Sequence, residues 1–298
     1  MTISESQLET WAKQGAVTTS ASTYATIKAA LESSTAGYAG KDYEIYLQGS
    51  YGNDTNIYKE SDVDIVIQLN STFFKDISKL PPDQVALYNQ SFVTAEYLYA
   101  TYKADVIKAL KDTFGDDVVS GKKAIKIKAK GNRRSADVIP ACQYRRYKHF
   151  RSHRDQDYTE GIYFKGSDGT SIKNYPKEHS KNLTQHHQAT GQMLKPFTRI
   201  LKNMRTRLVD EGAIDADLAP SYFIEGLLYN APKSEFKGNY QDTFVAVMEW
   251  LRKADRTDFV CVNYQYYLLR GDSLVTWTPE KCQTFITAII KMWNDGRV

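Results

Sequence analysis

Long apolar runs are missing from this 298-residue chain; runs such as 65–67 and 259–262 fall far short of the roughly 20 residues needed to span a bilayer. Cysteine is scarce. Cys142, Cys261 and Cys282 are odd in number, widely spaced and without a CxxC pair, which excludes a disulfide framework and a structural zinc site. The first fourteen residues are polar with no apolar core, so no signal peptide is expected. Internal repeats, low-complexity tracts and long Gly/Ser linkers are also absent. What remains is 42% apolar and 25% charged, the profile of a folded, soluble, intracellular protein in a reducing compartment. The length suggests two coupled lobes.

Acid is scarce in one place. Residues 121–154 hold twelve Lys or Arg and a single acid, Asp137. That stretch therefore carries +11, and the remainder of a +4 chain is net −7. A basic patch on an otherwise acidic chain suits phosphate groups or nucleic acid; a solvated basic strand face is the bland alternative.

Periodicity gives the elements. Residues 4–33 read as one or two helices burying Leu8, Trp11, Ile27, Ala30 and Leu31, and 43–48 as a strand. Residues 61–69 alternate cleanly, with Val63, Ile65, Ile67 and Leu69 on one face and Asp62, Asp64, Val66 and Gln68 on the other. A long helical stretch covers 84–114 and stops at Gly115. Residues 123–130 alternate again, and a short strand at 135–139 is expected to stop at Pro140. Residues 155–175 look like loop. Beyond about Asn182, helices dominate, at 190–209, 221–230, 239–254 and 278–294. The fold class is α+β: a mixed-sheet lobe over 1–175, with its N-terminal helix, and a helical lobe over 176–298.

The chemistry concentrates between Gln48 and Ile67. Gly49-Ser50 follows a strand where a helix can begin, and backbone N–H groups with a hydroxyl there suit phosphate oxygens. Asp62 and Asp64 lie two apart on a strand and project from the same face. Such like charges repel, so stability would not gather them. A divalent cation removes the objection, because hard oxygen ligands hold Mg²⁺ beside a triphosphate. Asp137, on its own strand, supplies a third carboxylate for a two-ion site. One ion would neutralise the triphosphate and its leaving pyrophosphate, and the other would activate an acceptor hydroxyl for in-line attack. A lone DxD is more often a polar strand edge. GS, eleven residues, DxD and a distal strand Asp form a far more specific combination.

That combination resembles the polymerase-β-type nucleotidyltransferases, and more narrowly the CD-NTases, the cyclic GMP-AMP synthase/DncV-like enzymes of bacterial antiphage (CBASS) defence. The resemblance extends through Asn174-Tyr-Pro-Lys-Glu-His179, residues 194–205 and Pro220-Ser-Tyr-Phe-Ile-Glu225, and so covers nearly the whole chain. It implies a cleft between lobes, two ribonucleoside triphosphates such as ATP and GTP as substrates, and two Mg²⁺ ions with Mn²⁺ as a substitute. A cyclic dinucleotide would form in two transfers and be read by a downstream effector. Catalytic and metal-binding roles fall on Asp62, Asp64 and Asp137. Nucleotide contacts fall on Gln48, Gly49, Ser50, Lys202, which matches a lysine on the donor triphosphate, and Ser221-Tyr222, which matches a phosphate-binding hydroxyl and a base-stacking ring. The bland readings are a solvated helix face for Lys202 and core packing for Tyr222. The resemblance also implies a bacterial cytoplasmic monomer with no membrane partner and no direct nucleic-acid binding, since the zinc insertion of the vertebrate synthase has no counterpart.

Other histidines carry less. His149 and His153 have metal-like spacing but lie amid cations, and His186-His187 lacks an acidic neighbour, so all four read as surface. His179 and Asn182 are candidates for reading a base, on position alone. Competing functions are a template-independent transferase modifying an RNA, protein or small-molecule acceptor, a cyclic trinucleotide synthase, and an inactive binder. The complete carboxylate set disfavours the last.

Overall fold

The computed structural model describes residues 2–15, 17–59, 62–271 and 275–297. The chain divides into two compact units, each assembled from separate stretches of sequence. Among the described residues, no helix is long and apolar enough to cross a membrane.

One unit comprises Val17–Gln48 and Ser61–Lys177. It holds α2 (Val17–Leu31), β1 (Tyr43–Leu47), β2 (Val63–Asp76), α4 (Pro82–Ser91), α5 (Tyr99–Phe114), β3 (Val118–Ser120), β4 (Ile125–Ile127), β5 (Ala136–Ser152), β6 (Asp155–Lys165) and β7 (Ser171–Asn174). The strands form one mixed sheet in the order β1-β2-β5-β4-β3, with β6 and β7 continuing from β5. β2 and β5 run parallel at its centre, and β1, β4 and β6 pair antiparallel. β2 is central, so Val66 and Gln68 are buried as fully as Val63, Ile65 and Ile67; its opposite face is covered too. α5 buries Tyr99, Tyr102, Val106, Ala109 and Leu110, a helical stripe, and ends at Gly115, whose φ of 55° few other residues adopt. α2 and α5 pack on one another, and α5 also packs on β5.

Three expectations change here. The helical stretch over 84–114 is two helices, α4 and α5, separated at 92–98. β5 continues through Pro140 to Ser152. Its partner on one side is β4 up to Val138 and β6 from Cys142, so Pro140 falls in the gap between them, where the N–H it lacks is not required. Residues 155–175 form a hairpin of strands rather than a loop. Gly161 misled the reading, because it serves close approach: a Cβ there would lie 2.7 Å from Asn174 O and 2.8 Å from the Tyr175 ring. Ser61, expected to open β2, lies outside the described residues.

The other unit comprises Met1–Ala16, Gly49–Glu60 and Glu178–Val298. It contains α1 (Glu5–Ala12), the single turn α3 (Gly49–Gly52), most of α6 (Pro176–Ala189), α7 (Leu194–Asp210), α8 (Ser221–Tyr229), α9 (Tyr240–Lys253) and α10 (Pro279–Asp295). α7 buries a stripe of Leu194, Phe197, Ile200, Leu201, Met204 and Leu208. α1 packs on α7 and α9, and the Glu5 carboxylate accepts from Tyr240 N and Gln241 N at 2.7 and 2.8 Å, capping α9 where its N–H groups are open. Residues 1–16 and 49–60, grouped in sequence with the 1–175 lobe, are thus built into the helical unit, and the later division falls at 177/178.

Candidate active site

Strand register aligns the carboxylates. Asp64 on β2 pairs across the parallel ladder with Asp137 on β5. Asp137 pairs in turn with Lys126 on β4. Directly paired residues share a face of the sheet, so Asp64, Asp137 and Lys126 form a row over three strands. Asp62, just ahead of β2, joins this face by alternation. It accepts from the Ser135 hydroxyl, and its Oδ2 lies 3.2 Å from Lys126 Nζ. Asp137 is half-buried. Burial first, and then the charge of Asp62, push its carboxyl above the usual range, with Lys126 opposing.

These are hard oxygen donors in a site of excess negative charge, which fits a divalent cation. As they stand, no three His, Cys, Asp or Glu side chains among the described residues are gathered to hold an ion. Gln48 N donates to Asp64 O at 3.0 Å, tying the end of β1 to this row, and Gln48 Oε1 is a buried acceptor without a partner.

The helical unit holds the rest of the predicted residues. Gly49 has a φ of 62°, a left-handed conformation suited to glycine, and opens α3. The turn closes through Asn53 N to Gly49 O and Thr55 N to Ser50 O, at 3.0 and 2.9 Å. Beneath it lies a network that the sequence did not reveal. The fully buried Glu225 carboxylate accepts from the Thr55 hydroxyl, from Asn53 Nδ2 at 3.2 Å and from His179 Nε2 at 2.7 Å. Its pKa moves below the usual range because these partners and Lys202 outweigh burial, the largest single influence.

Lys202 is fully buried, with Nζ donating to Thr55 O at 2.7 Å. Its ammonium sits inside the unit, which removes the solvated-face reading and differs from a side chain held out toward a triphosphate. Ser221 opens α8 and receives Arg205 Nη1 at 3.4 Å, beside a 3.1 Å bond from the same nitrogen to Ala219 O. The Tyr222 ring lies 5.2 Å from that of His179, and its hydroxyl accepts from Asn263 Nδ2 at 3.1 Å. His179 and Asn182, candidates from position for reading a base, have partners within the protein. Both are buried, the first paired with Glu225 and the second donating to Val262 O at 2.8 Å.

Part of the basic run is offset by acids drawn from elsewhere in its unit. Lys122 pairs with Asp168, Lys130 and Arg133 with Asp117, Arg146 with Asp76 and Lys148 with Asp157. His149 bonds Asp155 and His153 bonds Ser91 O.

Residues 181–294 match the family model of the cGAS/DncV-like nucleotidyltransferase C-terminal helical domain. Over nearly its whole length the chain is 41% identical to the cyclic UMP-AMP synthase of Rhodothermus marinus, covering 99% of both. It is 39% identical to the cyclic nucleotide synthase CdnE01 of Staphylococcus haemolyticus, over 99% of this chain and 100% of that one. The chain belongs to the CD-NTase family. The R. marinus CdnE c-UMP-AMP synthase structure with Apcpp and Upnpp superposes on this CD-NTase with a TM-score of 0.89, at 39% identity and over 99% of this chain and 98% of that one. The Elizabethkingia meningoseptica CdnE structure with GTP and Apcpp gives 0.76 at 30% identity, over 99% and 100%. This CD-NTase therefore has the polymerase-β-like α+β fold and is a nucleotidyltransferase that synthesises a cyclic dinucleotide from nucleoside triphosphates.

Proposed function

We propose that Asp62, Asp64 and Asp137 are the catalytic carboxylates of this synthase and the ligands of two Mg²⁺ ions, with Mn²⁺ as a substitute. The observation that carries this reading is the in-register pairing of Asp64 with Asp137 on adjacent parallel strands, with Asp62 charged against Asp137. When bound, the ions supply neutralisation of the triphosphate and acidification of the attacking hydroxyl. The protein's own task is positioning. The left-handed Gly49 shapes a turn whose backbone and Ser50 hydroxyl receive phosphate oxygens. Gln48 offers its open acceptor to a nucleotide hydroxyl. Lys202 steadies the turn through Thr55 and adds positive charge beneath it, while Ser221 and Tyr222 serve phosphate and base at the start of α8.

Likeness to the R. marinus synthase supports ATP and UTP as the substrate pair. The product acts as a second messenger of antiphage signalling in the bacterial cytoplasm, read by a separate effector. The test is mass spectrometry of products after incubation with all four ribonucleoside triphosphates and Mg²⁺ alone. A phosphatase-resistant cyclic product containing adenine and uracil supports the reading. A cyclic product without a pyrimidine overturns the substrate pair, and absence of product until an acceptor is added overturns cyclisation.

A further inference from the structure

Lys126 is placed with unusual care for a lysine in a basic run. β4 is three residues long, and Ile125 and Ile127 are 2% and 0% exposed. Their burial fixes register, since a one-residue slip would turn both outward and drive the ammonium into the core. Lys126 is thereby held on the carboxylate face, opposite Asp137, with Nζ 3.2 Å from Asp62 Oδ2. Its neighbours turn elsewhere, Lys122 to Asp168 and Lys130 to Asp117.

We infer that Lys126 is the resident counter-ion of the carboxylate row, whose ammonium holds Asp62 in the metal-free enzyme and competes with the incoming cation for it. This rests on the proposed metal role of Asp62, Asp64 and Asp137. A tethered monovalent charge offsets repulsion among the acids and keeps them in place. It yields to a dication because the pair is half-exposed, at 49% and 38%, and such pairs are weak. Lys126 is a positioning residue that sets metal affinity.

The experiment measures Mn²⁺ binding to the full-length protein by electron paramagnetic resonance, without nucleotide. Lys126→Met should bind Mn²⁺ about three- to tenfold more tightly than wild type, by loss of a competing ion pair and of cation repulsion. Lys126→Arg, which keeps the charge, should stay near wild type. Equal affinity in wild type and Lys126→Met overturns the inference and leaves the metal site standing, provided Asp64→Asn abolishes binding. If no variant binds Mn²⁺, or Asp64→Asn binds as well as wild type, the metal reading itself fails and takes the inference with it.

Discussion

Asp137 is half-buried beside a like charge, so its carboxylate costs the fold stability that the neutral amide would restore. Asp64→Asn and Asp137→Asn are expected to fold, to melt in the absence of metal at or above the wild-type temperature, and to lose turnover. Loss in Asp137→Asn should fall on kcat with nucleotide binding largely kept, measured by single-turnover rates beside the dissociation of a non-hydrolysable triphosphate. Activity in either variant above about a tenth of wild type, a barrier change of only ~1.4 kcal/mol, contradicts the catalytic assignment. These carboxylates were legible because a strand has a period of two and because one acid among twelve cations stands out. Lys126 and Glu225 were not. Lys126 looked like any other member of a charge run, and pairing across strands is invisible to spacing. Glu225 stood in a recognised stretch, but its partners Asn53 and Thr55 are about 170 residues away in sequence.

At the scale of elements, α3 and the turn that follows it stand on the buried group of Glu225, His179, Lys202, Asn53 and Thr55. Removing one partner of a buried ionic group strands the others without compensation, at about 3–5 kcal/mol. Glu225→Ala should therefore lower the denaturation midpoint sharply and, in protein that remains folded, raise KM for the triphosphates. An unchanged KM in a folded variant detaches the network from the turn's function. α6 and α7 meet through His187, whose Nδ1 accepts from Lys195 N at 3.3 Å. Burial first, then Lys195 and Arg199, push this ring down to about 4 from its ordinary 6.5. Between those values the unfolded chain binds a proton that the folded one refuses. Stability should therefore fall as pH drops from 6.5 toward 4 and be level above, and His187→Asn should flatten that slope in urea melts across pH. The C-terminal helices were readable to within a few residues because their stripes and caps are local: Asn239 and Thr278 cap α9 and α10 by their side chains. Sheet elements were harder. Proline and glycine normally punctuate strands, whereas here Pro140 falls in the gap between β4 and β6 and Gly161 leaves room for Tyr175.

On the scale of the molecule, each unit draws on the chain more than once, and the family's helical-domain match at 181–294 is only part of the helical unit. A fragment of residues 178–298 lacks α1, which packs on α7 and α9, and lacks Asn53 and Thr55, which bond Glu225. It should show no cooperative thermal transition by circular dichroism; a sharp two-state melt would refute the interdependence. The interleaving also bears on how these synthases can be recombined. A chimera joined at 177/178, the natural seam by eye, would exchange α7 to α10 and most of α6 while leaving behind Met1–Ala16 and Gly49–Glu60, the pieces that complete their interior. Specificity swaps between relatives require three-part grafts that carry both short segments along, and inheritance of new product chemistry by simple crossover at that seam would be penalised by misfit before any nucleotide is bound.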